Sequence, residues 1–186
     1  MDTYEKFSKQ TLFLHWIVAI GMIGMLASGV YMHENDAYSV YPWHKSFGVL
    51  IVVFVLWRIF WRIKNGWPKP VQKYSTAEVT LSKIVHWLLI LATILMPVSG
   101  MMMSGLGGHG IPLFGIELLP RNPDVIDPSK VVPLNETLAG LGKALHGLGG
   151  NLLIAAILLH IAGALKHHLI DKDFTLKRML GKRIEK

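Results

Sequence analysis

The stretch ALHGLGGNLLIAAILLHIAG, residues 144–163, is apolar enough to lie in lipid, yet it carries a histidine near each end. His146 and His160 are fourteen residues apart, which corresponds to about 21 Å along an α-helix. Fourteen residues also leave the two side chains only about 40° apart around the helix axis. The stretch therefore predicts a membrane helix with two imidazoles on one side, one above the other. Ionisable residues inside membrane helices are functional candidates because they are costly to bury.

Three further apolar stretches are long enough to cross a bilayer, which takes about 20 helical residues. Lipid offers no partner to unpaired backbone groups, so each stretch should be helical throughout. The predicted membrane helices cover about residues 12–32, 44–63, 81–103 and 143–169. The first stretch is too long for a typical cleaved signal peptide, so we expect it to remain as a span. The sequence predicts an all-α fold, a single four-helix membrane bundle over residues 1–186.

The composition supports this class and excludes others. The chain is 52% hydrophobic and 17% charged, and it has no cysteine. The absence of cysteine excludes disulfides, thiolate metal sites and covalently attached haem. A net charge of +7 could suggest nucleic acid, but the basic residues collect beside the apolar stretches and form no basic domain. No nucleic-acid partner is expected, whereas the lipid bilayer is.

The basic residues also predict the orientation of the bundle. One side of the predicted membrane carries most of them, namely Lys6, Lys9, Arg62, Lys64, Lys69, Lys73, Lys83, Lys166, Lys172, Lys177, Arg178, Lys182, Arg183 and Lys186. The other side has Lys45, Arg121, Lys130 and Lys143. The positive-inside rule therefore places both termini in the cytoplasm. The segment 104–142 becomes a long periplasmic loop, and a loop of that length is usually functional or disordered.

Alternating helix directions sort the histidines by depth. The outer level offers His44 and His146, whereas the inner level offers His160 with either His15 or His86. Two stacked pairs of imidazoles suit two b-type haems, because each iron can be bound by one histidine on either face. An isolated histidine could instead be an ordinary helix-end residue. Several histidines at matching depths favour ligands and predict electron transfer.

Glycines beside these histidines agree with a flat cofactor, which needs helix faces without bulky side chains. They are Gly48, Gly142, Gly149, Gly150 and Gly163. Glycine also lets membrane helices approach one another, which is the alternative explanation.

Three other polar residues lie toward the inner side. Arg58 follows His44 by fourteen residues, so it should face the cofactor and pair with haem propionates, as should Arg62 less firmly. Both could instead extend to the lipid headgroups. His167 is a candidate hydrogen-bond partner for a quinone, because histidine exchanges protons near neutral pH. A solvated helix end is the alternative for that residue.

The ordered set of these features resembles the bacterial cytochrome b561 family. The residues that carry the resemblance are LHW at His15, WHKSFGVL at His44, HWLLILATILMP at His86, and His146 and His160 followed by KHH. The resemblance covers all four predicted helices. It implies an inner-membrane protein with two b-type haems, and it places both termini on the quinone side.

The resemblance also implies particular roles. His44 and His146 would bind the outer haem, and His15 and His160 the inner one, which leaves His86 as a neighbouring polar residue near a propionate or quinone. It further implies ubiquinone at the cytoplasmic end and an electron donor at the periplasmic face, either a small molecule such as superoxide or a protein. The first outer loop has no arginine before Lys45. Cationic guidance of an anion would therefore come from basic residues elsewhere on that side.

Two rival functions remain. The first is a quinol-oxidising cytochrome that passes electrons to a periplasmic redox partner. The second is a histidine-lined metal-ion transporter without haem. Such transporters usually add carboxylates or asparagine within the spans, and these stretches hold almost none. The expected activity is electron transfer between a periplasmic-side donor and the quinone pool.

Overall fold

Four long helices make up most of the protein. The structure is a computed structural model that describes residues 1–184, so Lys186 of the orientation prediction lies outside the described residues. The helices are α1 (Lys9–Asn35), α2 (Tyr41–Asn65), α3 (Thr76–Leu106) and α4 (Glu136–Leu169). A 3-10 turn (Tyr38–Val40) precedes α2, and a short helix, α5 (Thr175–Met179), follows α4. All four long helices are apolar enough to cross a membrane, as predicted.

Each long helix extends beyond the apolar stretch that predicted it, and polar caps rather than hydropathy set the start of α1, α3 and α4. The side chain of Ser8 accepts from the backbone N–H of Thr11 at the start of α1. Ser75 and Glu78 form a capping box at the start of α3, which satisfies two otherwise unpaired N–H groups. Asn135 caps α4. The apolar stretch marks the part suited to lipid, and the caps lie outside it.

The helices form an up-and-down bundle in which α1 packs against α2, α2 against α3, and α3 along α4. The segments before α1, between α2 and α3, and after α4 meet at one end, called here the terminal end. There the hydroxyl of Tyr4 donates to the carbonyl of Val71 (2.7 Å), and the indole of Trp16 to the carbonyl of Met179 (2.9 Å). The segment 107–135 lies at the opposite end, called here the loop end.

The core lies midway between these two ends. It is a cluster of buried apolar side chains from all four helices: Val18, Met22, Ile51, Val55, Ala92 and Leu153. Large apolar side chains on the outer helix faces, such as Ile20, Val53 and Leu158, are exposed instead. Apolar outer faces around a thin core fit a bundle whose surroundings are lipid.

Two glycines explain the long contact between α3 and α4. A Cβ added at Gly142 would lie 2.7 Å from the backbone nitrogen of Met103, and one at Gly149 would lie 3.2 Å from Sδ of Met96. These glycines therefore serve helix packing, which is the alternative that the sequence left open. Gly163 has no neighbour within 4 Å at its Cβ position.

The segment 107–135 contains an element that the all-α prediction missed. Strands β1 (Ile111–Leu113) and β2 (Ile116–Leu119) pair antiparallel as a hairpin. Phe114 and Gly115 form its turn with φ of 48° and 91°, the backbone that a tight two-residue hairpin requires. The backbone N–H of Phe114 donates to Oγ of Ser46 on α2 (3.0 Å), so the hairpin is attached to the bundle. The loop is an ordered cover over the loop end.

Candidate functional site

The four predicted ligand histidines lie in two levels inside the bundle. At the loop end, the ring centres of His44 on α2 and His146 on α4 are 6.3 Å apart. At the terminal end, the ring centres of His15 on α1 and His160 on α4 are 6.2 Å apart. The core separates the levels, because Leu153 lies seven residues from each histidine of α4.

Both separations suit a metal ion held between two imidazoles. The ring centres of two such ligands lie about 6 Å apart, because each nitrogen is about 2 Å from the ion and about 1 Å from its own ring centre. The residues at both levels therefore fit an iron bound from opposite faces of a haem. The alternative partner, His86 on α3, is only 5.5 Å from His160 between ring centres. That distance suits direct contact between the rings better than an ion between them.

The histidine of α4 at the loop end is held in the form that binds a metal. Nδ1 of His146 lies 2.9 Å from the carbonyl oxygen of Met96 and 3.2 Å from Oγ of Ser99. A carbonyl oxygen only accepts, so Nδ1 must carry the proton and donate. The lone pair of the neutral ring is then on Nε2, free for a metal ion.

The second histidine of this level, His44, is also held with its proton on Nδ1, but by a different acceptor. Nδ1 of His44 lies 2.8 Å from Oγ of Ser28, and the hydroxyl of Ser28 lies 2.9 Å from the carbonyl oxygen of Met25. That hydroxyl has one proton, which it donates to the carbonyl, so it accepts from His44. His44 also offers its lone pair through Nε2. Both histidines of this level are therefore oriented by neutral acceptors on α1 or α3.

A cavity opens between these two histidines. It holds about 220 Å³ of accessible space between the helices, and part of it is open to the outside. Gly29, Gly48 and Gly100 contribute to its wall. A Cβ at Gly100 would lie 3.0 Å from the ring of His146. Gly48 was predicted to serve this purpose, whereas Gly29 and Gly100 were not, because they lie on helices other than those of the two histidines.

The terminal-end level is more polar. The guanidinium of Arg58 lies 3.3 Å from Nδ1 of His15, and His86 lies beside His160. Guanidinium only donates, so Nδ1 of His15 accepts and Nε2 carries the proton. For Nε2 of His15 to bind a metal ion, Arg58 must release Nδ1. An anion that attracts Arg58 would do so.

The two predicted propionate-binding arginines differ in their partners. Among residues 1–184, no carboxylate lies within 4.0 Å of the guanidinium of Arg58. A half-buried cation without an anionic partner is costly, so a haem propionate suits this position. Arg62 is already occupied, since it lies 3.4 Å from Oδ2 of Asp2 and donates to the carbonyl of Gly66 (3.0 Å).

The sixth predicted site histidine lies beyond the terminal-end level. His167 packs on the ring of Tyr74, with ring centres 4.7 Å apart. Its Nδ1 lies 2.8 Å from Oδ2 of Asp171 and 3.4 Å from Oδ2 of Asp173. This group of an imidazole and two carboxylates is separate from the histidine levels.

Cations lie at the mouth of the loop-end cavity. Lys45 and His33 contribute to its wall, and Nζ of Lys45 donates to the carbonyl of His109 (3.4 Å). Partial burial lowers the pKa of His109, and the charges of Lys45 and Arg121 lower it further. Arg121 therefore lies close to this group, although it is far away in sequence. His33 belongs to the last turn of α1.

A bundle of membrane-spanning helices with pairs of imidazoles facing each other inside is the architecture of a haem-binding membrane cytochrome. The family model described as prokaryotic cytochrome b561 matches residues 6–182. The chain belongs to this family, as the sequence motifs predicted. Membership implies b-type haem, electron transport and a multi-pass bacterial membrane protein.

Three relatives align along nearly their whole length. The chain is 31% identical to cytochrome b561 homolog 2 of Escherichia coli (strain K12), with 97% of this chain and 94% of the relative covered. It is 30% identical to the probable superoxide oxidase CybB of Yersinia pestis, with 97% and 98% covered. It is 25% identical to cytochrome b561 homolog 1 of Escherichia coli (strain K12), with 96% and 99% covered.

Proposed function

We propose that this protein carries electrons across the bacterial inner membrane through two b-type haems, from a donor at the loop end to a quinone at the terminal end. The observation that carries the proposal is the spacing of the two imidazole pairs, 6.3 Å and 6.2 Å between ring centres. When bound, haem would supply a one-electron carrier at each level, and two histidine ligands for each iron would disfavour oxygen binding. Electron transfer rather than oxygen chemistry follows.

The chain's own residues have distinct roles in this proposal. His44 and His146 hold the loop-end haem, and His15 and His160 hold the terminal-end haem. Arg58 pairs with a propionate of the terminal-end haem and thereby releases His15. His86 is a polar neighbour of that haem, Arg62 contributes only a more distant charge, and His167 serves the quinone.

The terminal end faces the cytoplasm in this proposal. Its exposed segments carry most of the lysines and arginines, for example Lys64, Lys69 and Lys73 between α2 and α3. Such segments stay on the cytoplasmic side during insertion. The loop end, with its hairpin, then lies in the periplasm.

The donor is an anion, and superoxide is the candidate of the right size and charge. Lys45 lines the cavity that contains His44 and His146, with Arg121 close by. Cations at the mouth of a cavity attract anions and raise their rate of encounter. A relative bears the name probable superoxide oxidase. Two superoxide anions lose one electron each and leave as dioxygen, while a quinone takes up two electrons and two protons to become quinol.

The test combines pigment content with stopped-flow spectroscopy on the purified protein. We expect two b-type haems per chain, fast haem reduction by superoxide and fast haem reoxidation by ubiquinone. A protein that binds no haem would favour the metal-ion transporter instead. Haem reduction by quinol but not by superoxide would reverse the proposed direction.

A further inference from the structure

The cytoplasmic-side group around His167 has a feature that the haem sites do not need. Oδ2 of Asp171 lies 2.8 Å and Oδ2 of Asp173 lies 3.4 Å from the same ring nitrogen, Nδ1 of His167. Ionised carboxylates only accept hydrogen bonds, so this nitrogen must keep its proton. Proton exchange by His167 is therefore confined to Nε2.

Each carboxylate is held by a further side chain. Nζ of Lys166 lies 2.8 Å from Oδ2 of Asp171 and also pairs with Glu78 at the start of α3. Asp173 is buried, and the hydroxyl of Tyr74 donates to its Oδ2 at 2.5 Å. Burial and the hydrogen bond to Asp173 raise the pKa of Tyr74 to about 12. Tyr74 therefore stays a donor, and Asp173 keeps an accepting carboxylate.

The group lies close to the terminal-end level along α4. His167 follows His160 by seven residues, which is about 10 Å along the helix on nearly the same face. Nε2 of His167 is thus carried on nearly the same face of α4 as His160.

We infer that Asp171 and Asp173 are positioning residues that make His167 the proton donor to the reduced quinone. The inference rests on the proposed quinone reduction and assigns its protons. Two electrons reach the quinone through the terminal-end level, and two protons come from the medium at the terminal end. One proton passes from Nε2 of His167 to a quinone oxygen, and the medium then protonates Nε2 again. The second quinone oxygen takes its proton from the medium.

The charge on His167 depends on groups from several elements. Asp171 and Asp173 follow α4, Tyr74 precedes α3, and Lys166 reaches the imidazole only through Asp171. The hydrogen bond from Lys166, opposed by desolvation, lowers the pKa of Asp171. Arg178 of α5 lies near Tyr74. Asp173 is the buried carboxylate beside this ring, and its other side-chain partner named above is the hydroxyl of Tyr74.

The experiment compares the haem-loaded protein with its Asp173→Asn variant. We expect haem reoxidation by ubiquinone to slow about tenfold at pH 8, because loss of one neighbouring charge lowers the pH of half-maximal rate by about one unit. Asp124→Asn is the matched control, because Asp124 is a carboxylate of the loop-end segment that accepts from backbone N–H groups. Haem content and haem reduction by dithionite should be unchanged in both variants.

A second readout does not depend on activity. Nuclear magnetic resonance of ¹⁵N-histidine follows the ring of His167, with its signal identified by its loss in His167→Gln. We expect the titration midpoint of this signal to fall by about one pH unit in Asp173→Asn. If Asp173→Asn does not bind haem, the same titration is made on Tyr74→Phe. This variant lacks only the hydroxyl that donates to Asp173, and its midpoint should also shift.

The outcomes separate this inference from the proposed function. An unchanged midpoint together with an unchanged rate profile in Asp173→Asn would overturn the inference and leave quinone reduction standing. Parent protein whose reduced haems are not reoxidised by ubiquinone would overturn the proposed function itself. A lower midpoint with a slower rate at high pH supports both.

Discussion

The two histidine levels use the same bundle but differ in what holds their imidazoles. At the loop end, His44 and His146 each donate from Nδ1 to neutral oxygen atoms of the neighbouring helices. At the terminal end, Nδ1 of His15 faces the guanidinium of Arg58, and a third imidazole is close by. One level is ready to bind a metal ion, whereas the other requires its cation to move first.

This difference has a consequence for electron flow. Reduction removes one positive charge from a haem iron, so a nearby cation stabilises the reduced form and raises the reduction potential. Arg58 supplies such a charge in direct contact with His15 at the terminal end, whereas Lys45, which lines the loop-end cavity, is bound to the carbonyl of His109 instead of to a histidine ring. The terminal-end haem should therefore have the higher potential. Electrons that arrive at the loop end would move downhill toward the quinone.

Loss of one ligand from each level should give the largest effects. His160→Ala should remove the terminal-end haem, and His146→Ala should remove the loop-end haem, so each variant keeps about one haem per chain. The pyridine haemochrome assay measures this ratio, and redox titration shows which potential is lost. His168→Ala is the control, since it replaces a histidine of α4 outside both pairs. Full pigment content in His160→Ala would contradict the assignment.

The hydrogen bond to the loop-end ligand should matter next. Ser28→Ala removes the acceptor of His44, and loss of such outer partners usually costs about 10- to 100-fold in metal affinity. Titration of the haem-depleted protein with haem should show weaker binding at the loop-end level alone. Thr93→Val is the control. Like Ser28, Thr93 donates its hydroxyl to a carbonyl of its own helix, but it has no histidine partner among the described residues. Equal affinity in Ser28→Ala would mean that this hydrogen bond does not prepare the site.

The charge at the terminal-end level can be tested by Arg58→Gln. Removal of this cation should lower the potential of the terminal-end haem by about 60 mV, which for one electron is about 1.4 kcal/mol. Spectroelectrochemical titration should show the shift at that level and little change at the other. Arg62→Gln should shift the potential less, because Arg62 acts on His15 from a greater distance than Arg58 does. A shift confined to the loop-end haem would contradict the proposed difference between the two histidine levels.

Sequence patterns predicted the depth of the histidines better than the residues that hydrogen-bond to their rings. The depth of His44 and His146 follows from helix direction and position along an apolar stretch, which are local properties. Ser28 and Met96 support these rings from other helices, sixteen and fifty residues away in the chain, and no local pattern shows such contacts. The family resemblance, rather than spacing, distinguished His15 from His86.

Two other elements show the same limit. The hairpin escaped prediction because its strands have three and four residues, too few for a clear alternation of polar and apolar residues. The role of Tyr74 was not predicted, because its hydrogen-bond partner Asp173 is 99 residues away in the sequence. Pairings of this kind depend on how helix ends meet after the bundle has formed. Predictions from sequence therefore hold best for depth and least for contacts at the bundle ends.

The smallest expected effect concerns the second arginine. Burial alone would raise the pKa of Asp2, but hydrogen bonds from Ser8 and Thr11 and the charge of Arg62 outweigh it and lower the pKa. Asp2 is therefore ionised at neutral pH and balances Arg62. Asp2→Asn should leave Arg62 unbalanced and raise the potential of the terminal-end haem by about 20 mV, as expected for a partly screened pair.

The pH dependence of this effect has a definite sign. Because the pKa of Asp2 lies below its ordinary value of 3.8, the carboxylate is charged at both pH 7 and pH 5. The difference in potential between parent and Asp2→Asn should be the same at these two values, and it should disappear only as the pH falls through the lowered pKa. Redox titration at both values measures it. A difference already lost at pH 5 would show that another group balances Arg62, and the contrast between the two arginines would then need a different cause.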